Sequence, residues 1–401
     1  MTEASRRTSA SRRASRWLER NRSVAFIAAA TAFSLLGDQV LYAVLPVYYE
    51  DLGLTPIQVG ILLSANRWIR LVTNELAHRL GQGHSQRALF LGAFVLGVAS
   101  TAAYALTSWF SVLLAARLAW GLSWSFIRHL GVQAVMADAP PDRGGRTMGL
   151  YNGISRAGSV AGLFGGAVLV DVFGFAAGVL MLAAVSLLSL PLAHAGFHGA
   201  GPLPEHQRGS APAALLAMGF VIGAVGPGFV MGTLGAVLAG YITSGTWLSA
   251  ATVTGVLLAS RYLMDSLAAP WLGAISDRVG VRRAAALFFL AGGLALLVAA
   301  GRPPVALFVA TIIGFFVCGT GLQAGVAATA SRMGSGAFAR YVTASDLGSA
   351  SGPLTGWLAV AWLGDPAWSL AIGGVIYLVG VVVTSQLQPA RPEVAQKKRR
   401  G

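Results

Sequence analysis

The chain has 401 residues, of which 55% are hydrophobic, 11% are charged and 51 are glycine. A soluble domain carries about 25% charged residues and roughly 7% glycine, so the composition excludes a soluble globular enzyme, a coiled coil and a disordered chain, and leaves an integral membrane protein. The net charge of +14 comes from 27 arginines and 2 lysines against 15 acidic residues; no charged stretch accompanies a foldable domain, so nucleic acid is not the expected partner.

Residues 1–22 hold seven arginines and many serines. They read as a disordered basic tail suited to touching anionic lipid. They do not read as part of a signal peptide, because the apolar run from Val24 continues past Asp38 to Pro46. A membrane span needs about 20 apolar residues, and the chain offers twelve such segments. They lie near 24–46, 57–78, 87–107, 110–136, 147–170, 175–195, 213–241, 247–272, 283–301, 304–330, 339–362 and 366–388. Segments this long and apolar are helices, since an isolated strand cannot satisfy its backbone in lipid.

The expected architecture is therefore all-α. If both ends lie on one side, 22 of the 29 basic residues fall on that side and only Arg302 falls in an opposite loop. The positive-inside rule makes that side the cytoplasm. The widest gap between spans separates two groups of six. The expected organisation is a tail 1–22, a bundle 23–196, a cytoplasmic loop 197–212, a bundle 213–389 and a basic tail 390–401.

The two halves echo each other. Tyr151, Ser155, Gly158, Ser159, Gly162 and Gly166 match Tyr341, Ser345, Gly348, Ser349, Gly352 and Gly356 at a constant shift of 190. His78-Arg79-Leu80-Gly81 matches Asp277-Arg278-Val279-Gly280 at a shift of 199.

Between spans eight and nine stands Gly273-Ala-Ile-Ser-Asp277-Arg278-Val-Gly280-Val-Arg282-Arg283. Glycine there allows backbones to approach, and the aspartate can accept hydrogen bonds from a helix N-terminus and pair with arginine. Such a set suits a conformational latch; the alternative is a basic loop that only sets topology. Span four carries Arg117-Leu-Ala-Trp-Gly121, span one carries Gly37-Asp38 and ends at Leu45-Pro46, and span eleven carries Gly348-x-x-x-Gly352-Pro353-x-x-Gly356. Gly158 and Gly162 repeat the small-residue spacing in span five, with Leu163 where the other half has proline. Small residues spaced in this way allow close helix packing, and the proline is a bend point.

The loop at 273–283 resembles the signature G-x-x-x-D-R-x-G-x-R of the major facilitator superfamily. Arg117 to Gly121 is similar to the family's R-x-x-Q-G, with Trp120 in place of glutamine, and Gly348 to Gly356 is similar to the signature of its exporters. The first-half loop keeps Arg79 and Gly81 but has Asn74 for glycine and His78 for aspartate. The resemblance runs from span one to span twelve. It implies twelve transmembrane helices in two pseudo-symmetric six-helix bundles around a central site, alternating access, and a proton gradient rather than ATP.

Charges inside the spans cost about 2.5–3.5 kcal/mol each on insertion scales and so are expected to have partners and roles. Asp38 and Arg117 are the natural pair, acting as a proton switch or as a structural bridge. Arg67, Arg156, Arg261, Asp265 and Asp346 are the other expected cavity residues, with Arg261 and Asp265 neighbours on one helix face and Arg156 facing Asp346 across the cavity. Arg70 is assigned to the latch region and Arg128 to the inner membrane surface by snorkelling.

Cys318 is the sole cysteine, and no P-loop, H-E-x-x-H or G-x-S-x-G occurs. The expectation is a non-enzymatic, cofactor-free, metal-free monomer in a bacterial cell membrane. It would export a drug-like molecule or metabolite in exchange for protons. Uptake of a small anion or nutrient is the alternative, and a non-transporting receptor the remote one.

Overall fold

The computed structural model of the chain describes residues 3–139, 144–199, 201, 210–242 and 249–387. Among these there is no strand, and the helices form twelve rods. The first six are α1 (Glu3–Tyr48), α2 (Pro56–Trp68 and Arg70–Gly83), α3 (Gln86–Leu106), α4 (Phe110–Asp138), α5 (Gly144–Phe173) and α6 (Phe175–Gly196). The second six are α7 (Ala213–Ala239), α8 (Ala250–Leu267 and Ala269–Val279), α9 (Val281–Ala300), α10 (Val305–Arg332), α11 (Ser335–Leu363) and α12 (Ala367–Thr384).

Nine of the described rods are long and apolar enough to cross a membrane on those grounds alone. The other three, α2, α8 and α11, carry Arg67 and Arg70, Arg261 and Asp265, and Asp346. Helix α2 breaks at Ile69 into pieces of 13 and 14 residues, each too short by itself, and half-buried charge lowers the apolar character of α8 and α11.

Local chemistry sets the ends. Thr55 caps α2 in a reciprocal box with Gln58, with Pro56 at the first helical position. Ser85 and Ser249 cap α3 and α8 through their hydroxyls. The α5–α6 and α8–α9 connections are each a single residue, Gly174 at φ 83° and Gly280 at φ 86°, a conformation that a side chain would strain. Helix α1 also runs back to Glu3. The stretch expected to be a disordered tail is thus helical from there onward, since Glu, Ala and Arg are good helix formers continuous with a span. The expected tail arginines Arg391, Arg399 and Arg400, and the loop arginines Arg143 and Arg208, lie outside the described residues.

The internal repeat appears as a packing repeat. A Cβ added to Gly158 would strike the backbone of Ala32 in α1, and one at Gly162 would lie 2.8 Å from the Leu36 carbonyl oxygen. In the other half a Cβ at Gly348 would strike the Phe220 carbonyl of α7, and one at Gly352 the Ala224 carbonyl. Lipid provides no hydrophobic drive between helices, so close backbone contact supplies the attraction. Both α5 and α7 carry a π-helical turn, Ala161–Gly165 and Ala224–Val230, the second around Pro227.

Across the halves, α1 meets α7 and α8, α2 meets α11, and α5 meets α8. The contacts cluster toward the face opposite the start of α1. Gly235 packs on Pro46 and Val47, Gly60 on Trp357 and Leu354, and Gly255 on the Leu163 backbone. Tyr49 stands edge-on to Trp357 at 5.2 Å between ring centroids.

Candidate central cavity

Between the halves lies a cavity of about 820 Å³. Its wall reaches Met148 and Asn152 near the start of α5 and Phe338 near the start of α11. Those helix starts lie on the face where α1 begins, so the cavity opens on that face and the contacts just described close the other.

One corner of the cavity wall holds the expected pair. Gly121 of α4 lies against Asn66 of α2 so closely that an added Cβ would sit 2.5 Å from the Asn66 carbonyl oxygen. One turn away on each helix, Arg117 therefore reaches α2 and donates Nε–H to the Leu62 carbonyl at 2.9 Å. Its Nη1 donates to Asp38 Oδ1 at 2.6 Å, and its Nη2 to the Tyr42 hydroxyl at 3.4 Å. Asn66 donates to Oδ1 and Gln39 to Oδ2 of Asp38, each at 3.0 Å. Arg117 is 1% exposed and Asp38 5%, and Asp38 lines the cavity. Low surrounding dielectric strengthens such a pair, while the cost of dehydrating both ions makes each partner depend on the other. Asn66, Gln39 and Tyr42 are absent from the sequence-level site. Tyr42 had one signal, its i,i+4 spacing from Asp38 on the same helix; Gln39 and Asn66 had none.

Arg67 also lines the cavity, but its Nη1 donates across the halves, to Pro227 O at 2.8 Å and Ser349 O at 2.7 Å. Both acceptors sit at helix irregularities. Ser349 lies four residues before Pro353, which has no N–H to give it. In α7 the Met231 N–H bonds Gly226 and Gly228 and so bypasses Pro227. The Leu354 N–H donates to Ser64 Oγ at 3.0 Å, so α2 engages the bend of α11 twice. Pro353 therefore does more than bend a helix, because it exposes an acceptor that the other half binds.

Arg156, Arg261, Asp265 and Asp346 line the same cavity. Their partners within the cavity differ. Arg261 donates to Met231 Sδ at 3.0 Å and Asp265 accepts from Thr320 at 2.7 Å, so these i,i+4 neighbours turn to different partners. Arg156 and Asp346 approach from opposite halves without an ion pair between them among the described residues. Arg70 and Arg128 also line the cavity, with Arg128 exposed. Arg70 is three residues from Arg67, and Arg117, Trp120, Trp124 and Arg128 follow helical spacing, so each belongs to a face already committed inward.

The latch residues lie on the open face and do not bridge the halves. Asp277 pairs with Arg332 at 3.4 Å, both well exposed, and Arg79 pairs with Glu75 on its own helix at 2.6 Å. Exposed pairs of this kind contribute about 0–1 kcal/mol. Gly273 has only ordinary contact with Ala324, and the close approach is instead Gly325 onto Ser276. Gly81 abuts Leu130, and no ion pair to Arg278 or Arg282 occurs among the described residues. His78 packs edge-on to His129 at 5.4 Å.

On the closed face, Asp171 of α5 was not expected to matter. It accepts from Tyr48 of α1 at 2.7 Å and from the Ser249 and Thr252 hydroxyls at the start of α8. The positive end of the α8 helix dipole favours that carboxylate. Asp171→Asn leaves one acceptor oxygen for three donors and is expected to weaken closure by about 1–2 kcal/mol, roughly a five- to thirtyfold change in the open fraction. The check is labelling of a cysteine at Gln39 with an impermeant thiol reagent added on that face, in a Cys318→Ala background. An unchanged labelling rate would remove Asp171 from the closure.

A family model described as Major Facilitator Superfamily matches residues 27–244, more than half of the chain. The chain belongs to the major facilitator superfamily. An uncharacterised transporter of this family from Methanocaldococcus jannaschii is 27% identical over 158 residues, covering 39% of this chain and 40% of that protein. The quinolone resistance protein NorA of Staphylococcus aureus is 27% identical over 165 residues, 40% of this chain and 42% of NorA. The matched stretch thus spans about two-fifths of these curated relatives. Among solved structures, a bacterial homolog of the human lysosomal transporter Spinster matches with a TM-score of 0.70 at 11% identity. That match covers 92% of this chain and 95% of that one, which is described as inward-facing and unoccupied. An inward-facing, occupied structure of the same homolog gives the same score at 13% identity. The superfamily fold, two six-helix bundles about a central cavity, thus extends over nearly the whole chain, and a multi-pass membrane protein follows from it.

Proposed function

We propose that this transporter exports a small drug-like molecule or metabolite in exchange for protons, by alternating access. The observation that carries the reading is Asp38. It is a buried carboxylate on the cavity wall, held by an arginine that solvent does not reach. Protonation of Asp38 from the cavity would cancel its charge, loosen Arg117, Asn66 and Gln39 together, and pass the change to α8 through Tyr262, which donates to Gln39 at 3.1 Å. The name of NorA, a quinolone resistance protein, supports export as the direction.

In this reading the bundles 23–196 and 213–389 rock as units, with both ends cytoplasmic in a bacterial membrane and the protein working as a monomer. The described state is then open to the cytoplasm. When that face closes, Gly273, Asp277, Arg278, Gly280 and Arg282 meet the first-half helices near Arg79 and Gly81. When the outer face opens, the bonds of Arg67 and Asp171 break. Gly158, Gly162, Gly348 and Gly352 hold each bundle rigid during the motion. Uptake of a small anion is the second reading, favoured by the arginine content of the cavity.

The test is collapse of a pH gradient in inside-out vesicles on adding a panel of organic cations, neutral drugs and organic anions. Wild type is expected to respond to one class, Asp38→Asn to none, and Asp38→Glu to retain part of the response. Equal responses from wild type and Asp38→Asn, with both proteins eluting as folded monomers, would remove Asp38 from the proton path.

A further inference from the structure

We propose that the ligand of this cavity is an organic anion. Its acidic group would be bound by Arg70, Arg128 and Arg156, and its apolar body would lie against Trp124, Met148 and Phe338. The proposal rests on the transport reading of the cavity and names its substrate class.

The charges around the cavity, once matched with their partners, leave a specific remainder. Counting Arg117 behind Asp38, six arginines stand against three aspartates. Three of the arginines are engaged: Arg117 by Asp38 and the Leu62 carbonyl, Arg67 by two carbonyls of the second half, and Arg261 by Met231. Two of the aspartates are engaged as well, Asp38 by Arg117, Asn66 and Gln39, and Asp265 by Thr320. Arg70, Arg128 and Arg156 have no hydrogen-bond or ion-pair partner among the described residues, yet all three line the cavity.

Arg70 lies near Arg67 and Arg128 as well as Asp346. Arg70 and Arg156 are half-buried and Arg128 is exposed to the open cavity, so a cationic ligand placed there would meet like charges, whereas a carboxylate would meet three guanidinium donors that no protein acceptor occupies. Guanidinium forks match carboxylate geometry with two parallel N–H donors. The aromatic and thioether side chains beside them provide apolar wall for a body larger than an inorganic ion.

The three arginines belong to the first half, and Asp346 and Phe338 to the second. A bound anion would therefore meet the first half through its acidic group and the second through its apolar body at Phe338. Nothing in this arrangement involves the proton site itself, since Arg117 is fully occupied.

The test is calorimetric titration of the purified protein in detergent with three probes on one naphthalene ring: 1-naphthylacetate, 1-naphthylacetamide and 1-naphthylmethylammonium. The carboxylate is expected to bind at least about tenfold more tightly than the amide, and the ammonium not measurably. Arg128→Gln and Arg156→Gln are each expected to weaken the carboxylate by about tenfold and leave the amide unchanged, with the lysine variants between. Equal or tighter binding of the ammonium or the amide would overturn the proposal. So would absence of carboxylate binding, or wild-type affinity in both glutamine variants. Where a variant elutes as aggregate, the ranking of the three probes on wild type decides alone.

This readout needs no gradient. Carboxylate binding without a proton response in the vesicles would defeat proton coupling and keep the anion site. A gradient collapse driven by the ammonium and lost in Asp38→Asn would do the reverse.

Discussion

Replacing Arg117 by alanine is expected to destabilise the folded protein by about 3–5 kcal/mol, the cost of breaking a buried ion pair by removing one partner. The size follows from what remains. Asp38 would stay 5% exposed with its negative charge opposed only by the neutral amides of Asn66 and Gln39. The Leu62 carbonyl would lose its donor as well. Much of the penalty is thus the stranded charge rather than the net worth of the bridge. Asp38→Leu combined with Arg117→Met should therefore recover most of the loss, because apolar side chains of similar volume need no partner. The thermal unfolding midpoints of wild type, both single variants and the double variant in one detergent check this. A double variant as unstable as the sum of the singles would show that the two side chains are not coupled.

Arg67→Ala should produce the largest functional change outside the Asp38–Arg117 pair, because it moves the balance between states. Its two bonds, 2.8 Å to Pro227 O and 2.7 Å to Ser349 O, tie α2 to α7 and α11 in the state closed on the face opposite the start of α1. Hydrogen bonds from a charged donor are worth about 1.5–3 kcal/mol each. Arg67 can regain part of that from water in the other state, so a net shift near 1.5–3 kcal/mol is expected for the pair. That corresponds to on the order of 10- to 100-fold in the ratio of states. Spin labels at Asp51 and Gly301, one on each half, would report a longer-distance population that grows in Arg67→Ala. The background is Cys318→Ala, which removes the single native thiol. A distance distribution identical to that of Arg67 protein would mean that these bonds form equally well in both states.

These two arginines mark where reading the sequence succeeds and where it stops. Arg117 with Asp38 was legible because membrane depth makes an unpaired charge so costly that few partners are available. Arg67 was legible as a buried charge but not as a bolt. Its acceptors are backbone carbonyls freed by Pro353 and by the π turn at Pro227, and a carbonyl has no letter of its own in a sequence. Asp171 went unread for a similar reason, since it stands near the end of a span among apolar residues and its three hydroxyl donors are 78 to 123 positions away. Arg70 and Arg128 line the cavity as helical spacing from Arg67 and Arg117 allows.

The sequence by itself determined the solvent, the element type, the number of spans and the halving of the chain. Each of these depends on quantities that add along the chain: apolar length against bilayer thickness, charge against loop side, and similarity at a fixed shift. The tertiary structure alone decided which buried charges meet and at which end of the bundle the cavity opens. It also decided that three arginines remain unpartnered. Those outcomes depend on helix rotation and crossing distance, set by contacts such as Gly121 on Asn66 and Gly348 on Phe220. At that range an ångström of approach determines whether a guanidinium reaches a carboxylate or a carbonyl, and no sum along the chain carries that information.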